Sequence, residues 1–230
     1  MFFVMDIIEY LSETEYAVKN IINLISHDKK SLNEYLVDLN NLKKQLSPFE
    51  ELYKDYVSKD ISDDFCDLQV MYAAQRYYNY EEKNRDKKQK FLTEINILSE
   101  KLKIKQSQLD TRKFSIKCLC GAMLQIAKQG LSICYGKEES CVEVKRIAGE
   151  RISNIIFQAR NQSIHFEESL NNKVISCFNN LEQQLGNNVS IDQAQNINLA
   201  DVIVIDVLVW NSYDNFYTDM IAFKNELKAQ

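Results

Sequence analysis

The chain has 230 residues, a net charge of −5, one proline and five glycines. So few helix breakers disfavour a many-stranded sheet and predict a protein of long helices. The apolar N-terminus lacks a basic region and is interrupted by Asp6 and Glu9, which predicts that it is not a signal peptide. No later apolar run is long enough to span a bilayer. We therefore expect a cytoplasmic all-α protein with no membrane segment and with reduced cysteines.

The first helices are predicted from apolar side chains that recur every three or four residues. A first helix should run to about Ser26, where Ser26-His27-Asp28 is expected to break it. Leucines over residues 32–46 predict a second helix that ends at Ser47-Pro48, because the residue before a proline disfavours the α conformation. A short helix over residues 49–57 should follow.

A long helix is predicted next, over about residues 65–105, after a loop at residues 60–64. Apolar residues between Phe91 and Leu109 are spaced 4, 3, 4 and 7 apart, as in a short heptad seam. Residues 1–109 are thus predicted to be an N-terminal region whose long helices form a helical hairpin or extension.

Residues 110–230 are predicted to form a helical bundle, either as a second domain or continuous with the first. Asp110-Thr111 should cap a helix that ends near Cys134 and Tyr135-Gly136. Further helices are predicted over residues 144–160, 170–185, 202–209 and 212–228. Residues 202–209 are rich in β-branched side chains and could be a strand, but no partner strand is evident and a buried helix is preferred.

The six cysteines do not indicate a metal site. None forms a C-x-x-C pair, and Cys118 and Cys120 would lie on different faces of one helix, which disfavours a zinc site with Cys134 and Cys141. No cluster of His, Asp or Glu has the spacing of metal ligands either. We therefore expect buried, reduced thiols and neither a metal nor another cofactor.

Charge is distributed unevenly along the chain. Residues 81–117 hold 11 basic and 6 acidic side chains, a net charge of +5, whereas residues 1–80 carry −6 and residues 118–230 carry −4. A net-positive stretch is the electrostatic signal of nucleic-acid binding. This segment is therefore the predicted contact for RNA, the alternative being a solvated helix face.

Chemistry is indicated most clearly by Arg160, Asn161 and His165. They are predicted to straddle the junction between two amphipathic helices. Histidine titrates near neutral pH and can transfer the proton of an RNA 2′-hydroxyl, while arginine stays charged and forks onto phosphate oxygens. One histidine cannot be acid and base at once, so a symmetric dimer with two copies of the junction makes more chemical sense.

Arg160-Asn161-x-x-x-His165 resembles the R-x(4–6)-H signature of HEPN (higher eukaryotes and prokaryotes nucleotide-binding) domains, mainly over about residues 110–190. The resemblance implies an α-helical bundle and a metal-independent endoribonuclease that acts as a homodimer, in defence or as a toxin, with Arg160, Asn161 and His165 in the catalytic site. A protein partner or antitoxin is then also expected. Some HEPN proteins lack nuclease activity, so the alternative is a non-catalytic helical interaction or assembly protein.

Overall fold

A computed structural model describes the backbone of residues 6–58 and 69–224, and the side chains of residues 6–51 and 85–224. Two long helices, α1 (Ile7–Ser58) and α2 (Gln69–Tyr135), hold 52 and 67 residues and together cover more than half of the chain. Apart from one small hairpin, the regular structure of the described residues is helical, which confirms the all-α class.

The chain divides into two compact units. Residues 1–30 and 112–230 form the discontinuous unit, and residues 31–111 form the hairpin unit. The domain boundary predicted near residue 110 therefore coincides with only one of the two boundaries between the units, because residues 1–30 belong to the same unit as the C-terminal part. In the hairpin unit the two helical segments are antiparallel, since Lys105 pairs with Asp38 and the ring of Phe91 lies 6.1 Å from that of Phe49.

The predicted break at Ser26-His27-Asp28 is wrong, because α1 continues through it. Asp28 is only 5% exposed, and its carboxylate accepts hydrogen bonds from Arg112 at 2.6 Å and Ser115 at 2.7 Å. The side chain thus contacts another helix instead of capping its own. Burial alone would raise the pKa of the Asp28 carboxyl, but the hydrogen bonds from Ser115 and Arg112 and the charge of Arg112 together lower it below its ordinary value.

Ser47-Pro48 does not end a helix, and residues 49–57 do not form a separate one, since Pro48 lies inside α1. A proline in a helix removes one backbone hydrogen bond and costs about 3 kcal/mol. The packing of Phe49 on Phe91, one residue beyond the proline, is a tertiary contact that favours the continuous helix.

The helix boundary predicted at Asp110-Thr111 is also wrong, because α2 continues to Tyr135. Asp110 accepts a hydrogen bond from Gln106, and the Thr111 hydroxyl donates to the Ser107 carbonyl oxygen one turn earlier. Both side chains therefore form hydrogen bonds within the helix rather than a cap. The predicted loop at residues 60–64 and the start of the long helix near residue 65 lie outside the described residues.

A β-hairpin replaces the first part of the helix predicted over residues 144–160. Strand β1 (Arg146–Ile147) pairs antiparallel with β2 (Glu150–Arg151) around Ala148 and Gly149, which have φ angles of 50° and 79°. Positive φ at both central residues suits a tight hairpin and is incompatible with a helix. Helix α3 (Ile152–His165) begins only after this hairpin and continues past the predicted end at Arg160.

Helices α4 (Asn172–Leu185) and α7 (Tyr213–Ile221) lie close to their predicted positions. Between them the structure has α5 (Ile191–Ala194), α6 (Ala200–Val202) and a π-helical turn (Ile203–Val207). Short 3-10 turns are formed by Glu138–Ser140, Asn187–Val189 and Ala222–Lys224. Residues 202–207 are therefore helical, as preferred over a strand. The predicted interruption at 190–195 contains the short α5, and residues 225–228 lie outside the described part. Within the described segments, no helix has the length and apolar character needed to cross a bilayer.

Candidate functional site in helix α3

Arg160, Asn161 and His165 all lie in α3, so the prediction that Arg160 and His165 straddle a helix junction is wrong. His165 is the last residue of α3, and Arg160 lies more than one turn before it. In a regular α-helix a separation of five residues corresponds to about 140° around the axis and about 7.5 Å along it. Arg160 and His165 therefore occupy different faces, whereas Asn161 and His165, four residues apart, share one.

Arg160 is half-buried and held by two side chains. Its Nε donates to Gln125 Oε1 of α2 at 2.6 Å, and its Nη1 donates to Asn161 Oδ1 at 3.3 Å. These bonds orient a guanidinium whose remaining N–H groups could bind a phosphate oxygen. Asn161 thus supports the orientation of Arg160. Gln125 was not predicted, because its proximity to Arg160 depends on the packing of α2 against α3.

His165 is exposed, and its Nδ1 lies 3.2 Å from Oε2 of Glu168 in the turn that follows α3. A carboxylate can only accept, so neutral His165 carries its proton on Nδ1 and leaves Nε2 as a proton acceptor. Half of the imidazole side chain is accessible. The group is therefore available to a substrate or to a second protein chain.

The C-terminal end of α3 is anchored by a buried amide that the sequence did not reveal. Gln162 is fully buried, its Nε2 donates to the carbonyl oxygens of Ala194 and Ile197 at 2.8 and 2.7 Å, and its Oε1 accepts from the Leu199 amide at 3.1 Å. Asn198 Nδ2 adds a bond to the Ser163 carbonyl oxygen. These contacts fix the part of α3 that carries His165.

A groove of about 570 Å³ lies beside α3 and includes Asn161 in its wall. Its other walls come from the end of α2, the turn after it and the start of α4. Its lining also includes Lys128, Lys137, Glu138, Glu139, Phe157, Gln158, Asn172 and Lys173. Apart from Asn161, none of these was predicted as a site residue, because they come together only in the folded chain.

The basic segment 81–117 is split between the two units, and several of its charges are paired. Lys103 pairs with Glu100, Lys105 with Asp38, and Arg112 with Asp28. Lys87 and Lys90 are exposed. The positive charge available to a polyanion is thus smaller than the count of basic residues suggests.

Cys118, Cys120, Cys141 and Cys177 are free thiols in the described part of the chain. Cys120, Cys141 and Cys177 are buried as expected, whereas Cys118 is exposed, and Cys66 lies outside the described residues. Burial raises the pKa of Cys120 and Cys141 to about 12. Among the described side chains no three His, Cys, Asp or Glu residues cluster as metal ligands would.

We compared the chain with protein-family models, with curated proteins and with solved structures, and none of the three comparisons gave a match. The resemblance to HEPN domains therefore stays a prediction based on the residues from Arg160 to His165. The function has to be argued from the side chains of α3 and their neighbours.

Proposed function

We propose that this protein is a metal-independent endoribonuclease of the HEPN type that acts as a homodimer in the cytoplasm, in defence or as a toxin. The observation that supports it best is the pairing of an oriented arginine with an exposed histidine on α3. Gln125 and Asn161 hold the Arg160 guanidinium, and Glu168 holds Nδ1 of His165. Both side chains are thus oriented by neighbouring groups before any substrate binds.

The proposed reaction is an attack of the RNA 2′-hydroxyl on the adjacent phosphorus. His165 Nε2 removes the hydroxyl proton, the new O–P bond forms a 2′,3′-cyclic phosphate, and the 5′-oxygen leaves and takes up a proton. Arg160 binds the phosphate oxygens on which negative charge develops. Because Nδ1 of His165 bonds to a carboxylate, Glu168 keeps the imidazole in the tautomer that serves as a base.

A second copy of the chain completes this chemistry. A single His165 cannot remove one proton and donate the other within the same step, and Arg160 lies on a different face of α3. A homodimer would bring a second imidazole and a second guanidinium to one phosphate. Exposed Ile164 and Ile197, at 51% and 42%, lie close to this end of α3 and provide apolar surface for such a contact.

The test is cleavage of a mixed RNA pool by the purified protein and by His165→Ala. We expect the substitution to lower the rate at least about 100-fold, which is the usual contribution of a general base. His27→Ala is the matched control, since His27 is also exposed and lies outside the site. Equal cleavage by wild type and His165→Ala would remove His165 from the mechanism.

Three further measurements address the roles in the proposed reaction. Arg160→Lys should restore little of the activity that Arg160→Ala loses, because a point charge cannot fork onto two oxygens. Activity should persist in EDTA, and the products should end in 2′,3′-cyclic phosphates. Inhibition by EDTA, or products with 3′-hydroxyl ends, would contradict the mechanism.

RNA affinity is proposed to come from the basic segment 81–117. Lys87→Glu, Lys88→Glu and Lys90→Glu together should weaken RNA binding more than tenfold and flatten its dependence on salt. The same number of charge reversals at Lys30, Lys43 and Lys44 is the control, because these exposed lysines lie in the acidic part of the chain. Equal losses in both triple variants would indicate net charge alone.

The alternative function, a non-catalytic assembly protein, is favoured by apolar side chains exposed on the hairpin unit. Val37, Ile97 and Ile104 are 60%, 44% and 57% exposed. A photo-crosslinking residue at position 104 should then trap one defined protein in cells, and the same residue at exposed Lys103 should trap less. Robust RNA cleavage without such a product would favour the enzyme over this alternative.

A further inference from the structure

The open face of the hairpin unit is formed by one side of each of its two helical segments. A groove of about 460 Å³ lies there, lined by Asp38, Asn41, Leu42 and Gln45 of α1 and by Lys101, Ile104, Lys105 and Gln108 of α2. Ile97 lies on the same side of α2 as Ile104, because seven residues make about two helical turns. Ile97 and Ile104 are 44% and 57% exposed. The open face therefore presents apolar side chains to solvent.

The two halves of the open face carry opposite charge. On the α1 half, Glu34 lies one turn before Asp38, and the basic residues 43–44 lie more than about 90° away around the helix. On the α2 half, Lys101 lies one turn before Lys105. Asp38 and Lys105 pair with each other, whereas Glu34 and Lys101 form no salt bridge within the described part of the protein. One half is thus acidic and the other basic.

The size of the open face matches that of a small protein interface. Residues 31–51 of α1 rise about 30 Å, and two adjacent helices are about 20 Å wide. The face therefore offers about 600 Å² per copy, or about 1,200 Å² when two copies meet, which is the lower end for a stable contact. A contact of this size with few apolar side chains predicts a dissociation constant in the micromolar range.

We propose that a second copy of this chain covers the open face, so that two hairpin units form a four-helix bundle. The two-fold axis runs along the hairpin, and α1 of each copy lies over α2 of the other. The acidic half of one copy then meets the basic half of the other. A two-fold axis across the hairpin would place α1 on α1 and oppose like charges, which disfavours that arrangement.

The contacts between the two copies follow from the antiparallel register of the hairpin. The Asp38–Lys105 ion pair and the packing of Phe49 on Phe91 determine which parts of α1 and α2 are level. Rotation about an axis along the hairpin preserves these heights, so Asp38 of the second copy lies within about one turn of Lys101. The α1 helix of the second copy also covers Ile104. The bundle thus gives Lys101 a charged partner and removes Ile104 from water.

The first test is analytical ultracentrifugation of the full chain up to about 100 μM. We expect a monomer–dimer equilibrium, and Ile104→Asp should raise its dissociation constant at least about tenfold, because the new carboxylate would be buried in the contact. Ile133→Asp is the control, since Ile133 is 42% exposed on α2 in the other unit. A monomeric wild type, or an unchanged dissociation constant in Ile104→Asp, would overturn the proposal.

A second comparison separates this contact from the dimer contact proposed at the end of α3. The hairpin contact does not rest on RNA cleavage, because Arg160 and His165 lie outside it. If Ile164→Asp dissociates the dimer and Ile104→Asp does not, the hairpin contact is wrong and the proposed function is unaffected. If Ile104→Asp dissociates the dimer while His165→Ala cleaves RNA as the wild type does, the hairpin contact stands and the ribonuclease mechanism is wrong.

An exchange of charges tests the predicted orientation. Asp38→Lys and Lys101→Glu should each weaken self-association at least about tenfold, because like charges then face each other twice in the dimer. An equimolar mixture of the two variants should form a heterodimer about as stable as the wild-type dimer, since both opposite-charge pairs are restored. Lys103→Glu, on another side of α2, is the control and should associate as the wild type does. A mixture that associates no better than either variant alone would overturn the proposal.

Discussion

The two compact units differ in how they use polar side chains. Among the described residues, every buried polar or charged side chain lies in the discontinuous unit, including Gln158, Gln162 and Asp28. In the hairpin unit the buried side chains of the described part are Leu39, Leu98 and Leu109. One unit is thus held by apolar contacts supplemented with buried hydrogen bonds, and the other by a narrow apolar seam.

This difference shows where structural specificity arises. A leucine seam between two helices tolerates shifts and exchanges of partner, because apolar contacts have little directionality. Buried amides tolerate neither, since each unpaired group costs about 1–3 kcal/mol. The candidate site lies in the unit with the directional contacts, where the side chains around His165 can be held in place.

The largest effect is expected for Gln162→Leu. This change leaves the carbonyl oxygens of Ala194 and Ile197 and the amide of Leu199 without their partner. We expect the free energy of unfolding to fall by about 3–5 kcal/mol, measured by urea denaturation. Gln129→Leu, at an exposed position on α2, should change it little. A small effect of Gln162→Leu would show that the buried amide contributes less than its three bonds suggest.

The two cores can be compared directly with one type of substitution. Leu124 is fully buried in the discontinuous unit, and Leu124→Ala should lower the free energy of unfolding by about 4 kcal/mol. Leu98 is 7% exposed in the hairpin unit, and Leu98→Ala should lower it by about 2 kcal/mol, because a thin seam collapses around the cavity more easily. Ile97→Ala is the control, since Ile97 is 44% exposed. Equal losses in thermal and urea unfolding would contradict the distinction between a compact core and a seam.

Local periodicity predicted the helical class and the approximate positions of α4 and α7, because those depend on neighbours three or four residues apart. The breaks expected at Asp28 and Pro48 were wrong because tertiary contacts outweigh the preference of each residue for a helix end: Asp28 accepts from Arg112 and Ser115, and Phe49 packs on Phe91. Asp110 does not end a helix because its side chain bonds to Gln106 within α2. The hairpin at Ala148 and Gly149 was missed because its apolar residues imitate helical spacing.

The candidate site could be predicted from the sequence only in part. The residue types at Arg160, Asn161 and His165 indicated a chemistry, and their placement in one helix could not be foreseen once the helix end was set at Arg160. Gln125 and Glu168, which hold the arginine and the histidine, had no sequence signal. Their contacts depend on how α2 packs against α3 and on the turn that follows α3.

Pro48, in the hairpin unit, allows a further prediction about the stability of α1. Replacing Pro48 with alanine restores an amide donor to α1 and removes a helix penalty of about 3 kcal/mol. The greater conformational freedom of the unfolded alanine variant offsets part of this gain. We expect a net stabilisation of about 2 kcal/mol in thermal unfolding. Ser47→Ala, the control at the preceding exposed position, should change stability by less than about 0.5 kcal/mol. Destabilisation by Pro48→Ala would mean that α1 requires the proline.

The smallest effect on the free energy of unfolding is expected from substitutions at two aspartates that lie ten residues apart on α1. Asp28, in the discontinuous unit, is 5% exposed and accepts from Arg112 and Ser115, while Asp38, in the hairpin unit, forms an exposed pair with Lys105. Asp28→Asn should lower the free energy of unfolding by about 1 kcal/mol, because Arg112 is partly exposed and solvent screens the pair. Asp38→Asn should have no measurable effect.

The dependence on pH separates this contribution from packing. The folded chain lowers the pKa of Asp28, so the ionised carboxylate stabilises the fold fully above the ordinary aspartate pKa of about 3.9 and progressively less as the pH falls below it. The difference between wild type and Asp28→Asn in urea unfolding should therefore be constant above about pH 5 and shrink below about pH 4. A difference that persists at about pH 3 would assign the effect to packing around Asp28 instead of to its charge.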